Sequence, residues 1–347
     1  MIAYFLLVHR YPAQFKRLFK AIYMPGNQYV VHIDKGSGAN LTEEITDFLT
    51  PYQGVEMLES KDALWGGYSL VDAELRGMAR LLEMDSEWTH YINLSGQDFP
   101  LKSQNYIRQF FAAHPGKQFI RALDQARERP DTMNRISHVF KEEHGRMTAT
   151  GIARPYMLGD TPFIGTQWKA VTRSFCEYVC HDPGAERFKT FYSNSFIADE
   201  AFFQTVMMNS IDHGTVMNDD LRMIDWVPDG DIKLRPRNYD ENDFEQLRRS
   251  TDLFARKFDA EYETKILSLL ESHLKSPAAI RYRGSGEVPQ TSLAARELEL
   301  TSARPTQTSR TIAGSVSTKT SAPMQENCIS HDLPKMETGR ESERLCN

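Results

Sequence analysis

The sequence predicts an α/β fold built on a mainly parallel sheet with helices on both faces. Two observations carry this expectation. Short apolar runs rich in aromatic and β-branched residues alternate with stretches of helical period, and the alternation begins at the first residues. A third observation bounds the domain: apolar periodicity is strong from Met1 to about Leu274 and then stops, leaving about 275 residues for one domain of this class.

Each element follows in order. Ile2 to Val8 is an apolar run of strand length. Phe15, Leu18, Phe19 and Ile22 fall at i, i+3, i+4 and i+7, so an amphipathic helix follows with Pro12 in its first turn. After the Pro25-Gly26 break, Gln28 to Asp34 reads as a second strand. Asn40 with Glu43 three residues on resembles a capping box for a helix from Leu41 to Leu49. Val55 to Leu58 is the third strand. Ser69 to Leu82 is the next helix, with Ser69 as its cap, and His90 to Leu94 is the fourth strand. This order favours parallel pairing, the usual nucleotide-binding architecture. No internal repeat is present. The stretch from Arg127 to Asp160 is less regular and interleaves Arg127, Arg129, Arg135, Lys141, Arg146 and Arg154 with Glu128, Asp131, Glu142 and Glu143. It reads equally as a solvated loop or as a functional connection, and Arg135 within it is taken as a substrate-side cation.

The segment from Ser276 to Asn347 has no Phe or Trp and one Tyr, Tyr282, while Ser and Thr make up about a quarter of it. Such a composition buries too little apolar surface to offset ordering entropy. Residues 1–275 are read as the folded domain and 276–347 as a disordered tail. The chain carries 41 basic and 47 acidic side chains, a net charge of −6, which argues against nucleic acid as the main partner. No stretch approaches the roughly 18 apolar residues that cross a bilayer, and no signal peptide is read before the first strand. Cys176, Cys180, Cys328 and Cys346 make neither a zinc pattern nor a disulfide framework, which suits a reducing cytosol. Cys176 and Cys180 lie one helical turn apart and could pair only with strain.

Neither a phosphate-cradling GxxxxGK[ST] loop nor GxGxxG after the first strand is present, so phosphates would need other cations. The segments that do stand out are "IAYFLLVHR", "FKRLFKAIYMPGNQYVVHIDK", "WGGYSLVDAELRGMARLL", "HYINLSGQDFPLKS", "ADEAFFQTVMMNS" and "LFARKFD". In this order and at these intervals, from about Ile2 to Asp259, the chain resembles the core-2/I-branching glycosyltransferases, glycosyltransferase family 14. That family includes β-1,6-N-acetylglucosaminyltransferases and protein O-xylosyltransferases. The resemblance implies a GT-A-type, Rossmann-like fold, a UDP-sugar donor, inversion at the anomeric carbon and no need for a DXD-bound metal or other cofactor. It also implies a glycan, lipid-linked glycan or protein acceptor.

Residue roles follow from the same resemblance. Asp34 recognises the uridine beside Val8 and His9 at the end of the first strand, whereas a turn-starting acid is the plain alternative for Asp34. His32 reads as a core histidine. Trp65 packs on the nucleotide sugar or anchors its loop. Asp98 is a donor-site or structural loop residue, since one carboxylate makes a poor Mg²⁺ or Mn²⁺ site. Glu200 is the catalytic base, and Asp199 caps the helix that the pair begins. Lys257 neutralises the departing diphosphate together with an upstream arginine, Arg235 in preference to Arg237. Arg256 is a further cation or a surface ion pair. Trp226 stacks on the acceptor sugar or packs in the core. Two competing readings remain. Asp229-Gly230-Asp231 is literally a DXD tripeptide and would make a metal-dependent transferase, although "VPDGD" also reads as a turn. A catalytically silent carbohydrate-binding protein on the same fold is the other. Eukaryotic relatives are disulfide-rich secretory enzymes with a membrane anchor. Lacking both features, this chain is expected in a bacterial-type cytoplasm, with peripheral attachment at the inner membrane as an option and the Golgi disfavoured.

Overall fold

The computed structural model describes residues 1–280 apart from 85–86, 211–212 and 230–232. All seven residues of strand β1 (Ile2–Val8) are buried, as expected of a strand covered on both sides. Helix α1 (Pro12–Ile22) buries Phe15, Leu18, Phe19 and Ile22, the side chains its spacing selects. Strand β2 (Gln28–Ile33), helix α2 (Ala39–Leu49), strand β3 (Val55–Met57), helix α3 (Tyr68–Glu83) and strand β4 (His90–Ser95) complete the expected alternation. β1 pairs in parallel with β2 and β4, and β2 with β3. Beyond β4 the sheet turns mixed: Lys169–Thr172 runs antiparallel to β4 and to Lys117–Ile120, and Thr215–Val216 closes the edge in parallel. The seven-stranded sheet is therefore mainly parallel, consistent with a GT-A-like fold.

Two apolar layers sandwich it. One holds Tyr4, Leu6, Val8 and the α1 side chains, the other Phe5, Leu7, Val71, Met78, Phe202 and Phe203. The alternation of β1 side chains between layers is the period of two made visible. α3 lies so close to β1 that a Cβ on Gly77 would sit 2.3 Å from the Phe5 ring. A three-stranded sheet made of Arg222–Ile224, Phe254–Arg256 and Asp98–Pro100 brings distant sequence to the end of β4.

Several local expectations are corrected. α2 begins at Ala39 behind Gly38, without a side-chain cap. Asn40 therefore lies inside the helix, and Gly38 at φ 87° makes the turn that a capping box was expected to make. α3 likewise starts behind Gly67 without a side-chain cap, and the Ser69 hydroxyl instead accepts from the Leu64 N–H at 2.8 Å. Residues 127–160 are not a plain loop: His138–Glu143 and Arg146–Ala153 form an antiparallel hairpin. Pro277–Ile280 form a short helix, and the Ala279 carbonyl accepts from the Ser103 N–H at 3.0 Å, so the fold runs past residue 275. The tail expectation, with Cys328 and Cys346, otherwise lies outside the described residues. Cys176 and Cys180 are free thiols. Among the described residues no helix is long and apolar enough to cross a membrane.

Candidate active site

Ligands of open α/β sheets sit beyond the carboxyl ends of their strands, and most of the singled-out residues gather there. The Val8 carbonyl accepts from the Asp34 N–H at 2.9 Å, joining the ends of β1 and β2. Asp34 is buried, and its Oδ1 accepts from the Ala63 N–H at 2.9 Å, which draws the 59–67 loop over the strand ends. His32 lies in the core behind it, its Nε2 accepting from the Lys61 N–H, and burial pulls its pKa down to about 4.

The loop continues into Trp65-Gly66-Gly67. Gly66 has φ +74°, a backbone state open to glycine at little cost, and a Cβ there would lie 2.8 Å from Phe196. Its carbonyl accepts from the Ile197 N–H at 2.7 Å. Trp65 packs edge-on against Phe196, with centroids 5.8 Å apart, and Phe196 stacks on Phe140 of the hairpin at 5.2 Å. Trp65 is only half-buried. It is thus anchored along one edge while part of it reaches solvent.

Ile197 opens the turn that carries the candidate base. It sits at φ 52°, costly for a β-branched residue, and the bonds from Ile197 to Gly66 and from Phe196 to Arg135 hold it there. Ala198–Glu200 form a single 3₁₀ turn, and the helix Phe202–Asn209 starts afterwards behind Ala201, without a side-chain cap. Asp199 therefore does not cap, and the acids do not begin the helix. The Glu200 Oε2 accepts from Arg135 Nη1 at 2.8 Å, with the two side chains 29% and 21% exposed. Its Oε1 accepts no hydrogen bond from the described residues and faces a partly open environment. Arg135, expected on the substrate side, is the cation that orients this carboxylate.

Asp199 points elsewhere. It is buried, its Oδ1 has no hydrogen-bond partner, and burial first, then the Glu200 charge, push its carboxyl up to about 7.

Cations gather around His9. Burial depresses His9 to about 3, and Arg10, Arg256 and Lys257 add their positive charges to the effect, so His9 is neutral among three cations. Lys257 is buried. Arg256 is the correction to the surface-pair expectation: it is 2% exposed, bonds Ser95 Oγ and Asp98 Oδ1, and lies 4.8 Å over the Trp168 ring. Asp98, fully buried, also accepts from the Ser95 N–H. Asp98 and Arg256 are separated by 158 residues, which is why neither composition nor spacing could reveal the pair.

The remaining candidates lie on a ribbon of Trp226–Asp229 against Lys233–Pro236. Val227 faces Arg235 across it, and Trp226 faces Pro236. Successive side chains alternate between faces, so Trp226 and Arg235 project from opposite sides of the ribbon. Arg235 is 45% exposed with Asp229 at 3.9 Å. Arg237 is engaged by Asp225 at 2.6 Å and by both oxygens of Asp243, a fork that leaves it a structural cation. Asp229 is described, whereas Gly230 and Asp231 of the DXD tripeptide lie outside the described residues. Among the described residues no group of three His, Cys, Asp or Glu is arranged to hold a metal.

These contacts close a circuit. The Glu200 carbonyl accepts from the Gly165 N–H at 2.8 Å. Thr166 accepts from the Trp168 N–H, and Trp168 underlies Arg256. Arg256 and Lys257 face His9, which follows Val8, and Asp34, the 59–67 loop and Ile197 lead back to Glu200. A partly exposed carboxylate and a bank of fixed cations thus border one ring of contacts at the carboxyl edge of the sheet. That pairing can take a proton on one side and receive developing negative charge on the other.

Comparison with known proteins gives one consistent result. The family model described as Core-2/I-Branching enzyme matches residues 2–248. Xylosyltransferase 2 of Pan troglodytes and of Homo sapiens are each 31% identical over 292 residues, covering 79% of this chain and 33% of theirs. Xylosyltransferase 1 of Rattus norvegicus is 30% identical over 291 residues, with 79% and 35% covered. The chain spans about a third of the length of the curated relatives it matches.

Proposed function

The chain belongs to the Core-2/I-branching enzyme family, and on that premise we propose that it is an inverting glycosyltransferase. It moves xylose or N-acetylglucosamine from a UDP-sugar to a hydroxyl of a glycan, lipid-linked glycan or protein. The observation that carries the reading is the Glu200 carboxylate, held through one oxygen by Arg135 with the other uncommitted, on the circuit that also bears Lys257.

In the reaction an acceptor oxygen attacks the anomeric carbon as the bond to the UDP oxygen breaks. Glu200 Oε1 takes the hydroxyl proton, a contribution of about 10²–10⁴ in rate for a well-placed general base. Arg135 fixes the carboxylate so that little orientational freedom is lost on the way to the transition state. Negative charge develops on the diphosphate, and fixed cations in a dry site stabilise it without reorganising. Lys257, which follows the buried Arg256, takes this role, with Arg235 of the exposed ribbon as the second cation. Asp34 accepts from the uracil, with Val8 and His9 as its floor, and Trp65 lies against the donor sugar. Since these cations supply the charge, the reaction needs no divalent ion.

The experiment is a screen of UDP-xylose and UDP-N-acetylglucosamine by thermal shift and by release of UDP, with and without EDTA. A stabilising donor whose turnover persists in excess EDTA supports the reading. Loss of turnover on chelation, restored by Mn²⁺, would return the reaction to a DXD-type mechanism.

A further inference from the structure

The turn that carries Glu200 holds a second carboxyl with no task in the mechanism above. Asp199 is buried, and the groups that face it come from three elements: Glu200 on its own turn, Glu74 from α3 and Lys169 from the strand Lys169–Thr172. Lys169 is already committed, with its Nζ 2.7 Å from Glu74 Oε2 and 2.7 Å from the Gln167 carbonyl, and it stands 4.0 Å over the Phe203 ring. Glu74 in turn accepts from the Tyr91 hydroxyl and from Asn93. Glu200 is matched by Arg135.

The charges therefore count out unevenly. Two carboxylates, Glu74 and Glu200, pair with two cations, Lys169 and Arg135. Asp199 is the third acid, without an ion pair and with Oδ1 lacking any hydrogen bond. A buried anion without an ion pair, with Oδ1 unbonded and only its own backbone N–H to support it, costs several kcal/mol, and a carboxyl in that position keeps its proton instead.

We propose that Asp199 is a positioning residue for the Glu200 base: it holds a proton in the resting enzyme, and losing that proton sets a second negative charge beside Glu200 and strengthens it as a base. With Asp199 neutral, Glu200 is the one anion of its turn and stays matched to Arg135. With Asp199 ionised, proton uptake by Glu200 relieves a like-charge repulsion. Burial raises the pKa of Asp199 to about 7, which puts this change within the neutral range. The inference rests on Glu200 being the base.

The test is the pH dependence, from 5 to 9, of kcat/KM for UDP release from UDP-xylose with water or a serine-containing peptide as acceptor. It compares wild type, Asp199→Asn and Glu200→Gln. Asn has the shape of a protonated acid and cannot ionise. The wild-type profile is expected to rise in two steps, the second near neutrality, and the Asp199→Asn profile in one. The ratio of the two should grow about fivefold between pH 6 and pH 8, the size a stronger base gives through partial proton transfer. A constant ratio at every pH would make Asp199 merely structural and overturn the proposal. Full activity in Glu200→Gln would instead remove the base itself and this inference with it, so the two failures are distinguishable. Should the Asn variant fold poorly, infrared spectroscopy of the wild type gives the same answer: a neutral-carboxyl band that bleaches near pH 7 supports the proposal, and no such band at pH 6 overturns it.

Discussion

At the scale of single residues, the proposed mechanism needs groups that act on the substrate and groups that hold them in place. Lys257 belongs to the first kind. Replacing it by Ala removes a buried cation from the diphosphate side and should weaken UDP-sugar binding and lower kcat together, by about 10²-fold or more in kcat/KM. Calorimetry with UDP and steady-state kinetics on the same preparation check this, and an unchanged affinity would move the diphosphate away from Lys257. Arg135 is of the second kind. Arg135→Ala should lower kcat with little change in donor affinity, because it touches Glu200 and not the nucleotide. Asp199 adds a signature in stability. Its folded value, about 7, lies above the ordinary carboxyl value near 4, so the native state binds its proton more tightly. Its favourable contribution is complete below about pH 4 and is lost as pH rises through about 7. Between pH 5 and pH 8 the wild type should therefore lose on the order of 1–3 kcal/mol relative to Asp199→Asn, measured by urea unfolding at each pH.

At the scale of elements, the strands and helices up to β4 follow from local periodicity, because each buries a face whose spacing the sequence states. Phe15, Leu18, Phe19 and Ile22 are buried where their spacing places them. What could not be read locally depends on groups brought together from afar. Asn40 and Ser69 have the chemistry of helix caps, yet Gly38, at φ 87°, and Gly67, where a Cβ would lie 2.5 Å from the Glu142 carboxylate, take those places. The hairpin 138–153 is polar on most of its surface, and its apolar root is found only through Phe140 stacking on Phe196. The same hairpin reaches the donor loop through Glu142, whose Oε1 accepts from the Ser69 N–H at 2.8 Å. Gly66 combines a positive φ with close packing in that loop. Gly66→Ala adds a Cβ 2.8 Å from Phe196 at a positive φ, so it should destabilise the protein by about 1–3 kcal/mol and displace Trp65. Thermal unfolding and UDP-sugar affinity measured together would show both effects.

At the scale of the whole molecule, the candidate site lies at the carboxyl edge of a mainly parallel sheet. Its residues come from the first strand, the 59–67 loop, the 3₁₀ turn at Glu200 and the return strand that ends at Arg256. Asp34 and Lys257, proposed for the donor side, stood out in the sequence because short motifs carry them. The brace of Asp98 on Arg256, the role of Arg135 and the burial of Asp199 did not, since each arises from contacts across tens to hundreds of residues. The chain boundary is also a tertiary matter. Ala279 caps Ser103 through the backbone, so a chain ending at 275 should melt lower than one ending at 280. The most direct test of the central claim uses wild type and Glu200→Gln, with UDP binding by calorimetry and sugar transfer measured on the same samples. The account predicts that transfer falls by about 10²–10⁴ while UDP binds with nearly unchanged affinity. Transfer at the wild-type rate in Glu200→Gln would contradict it.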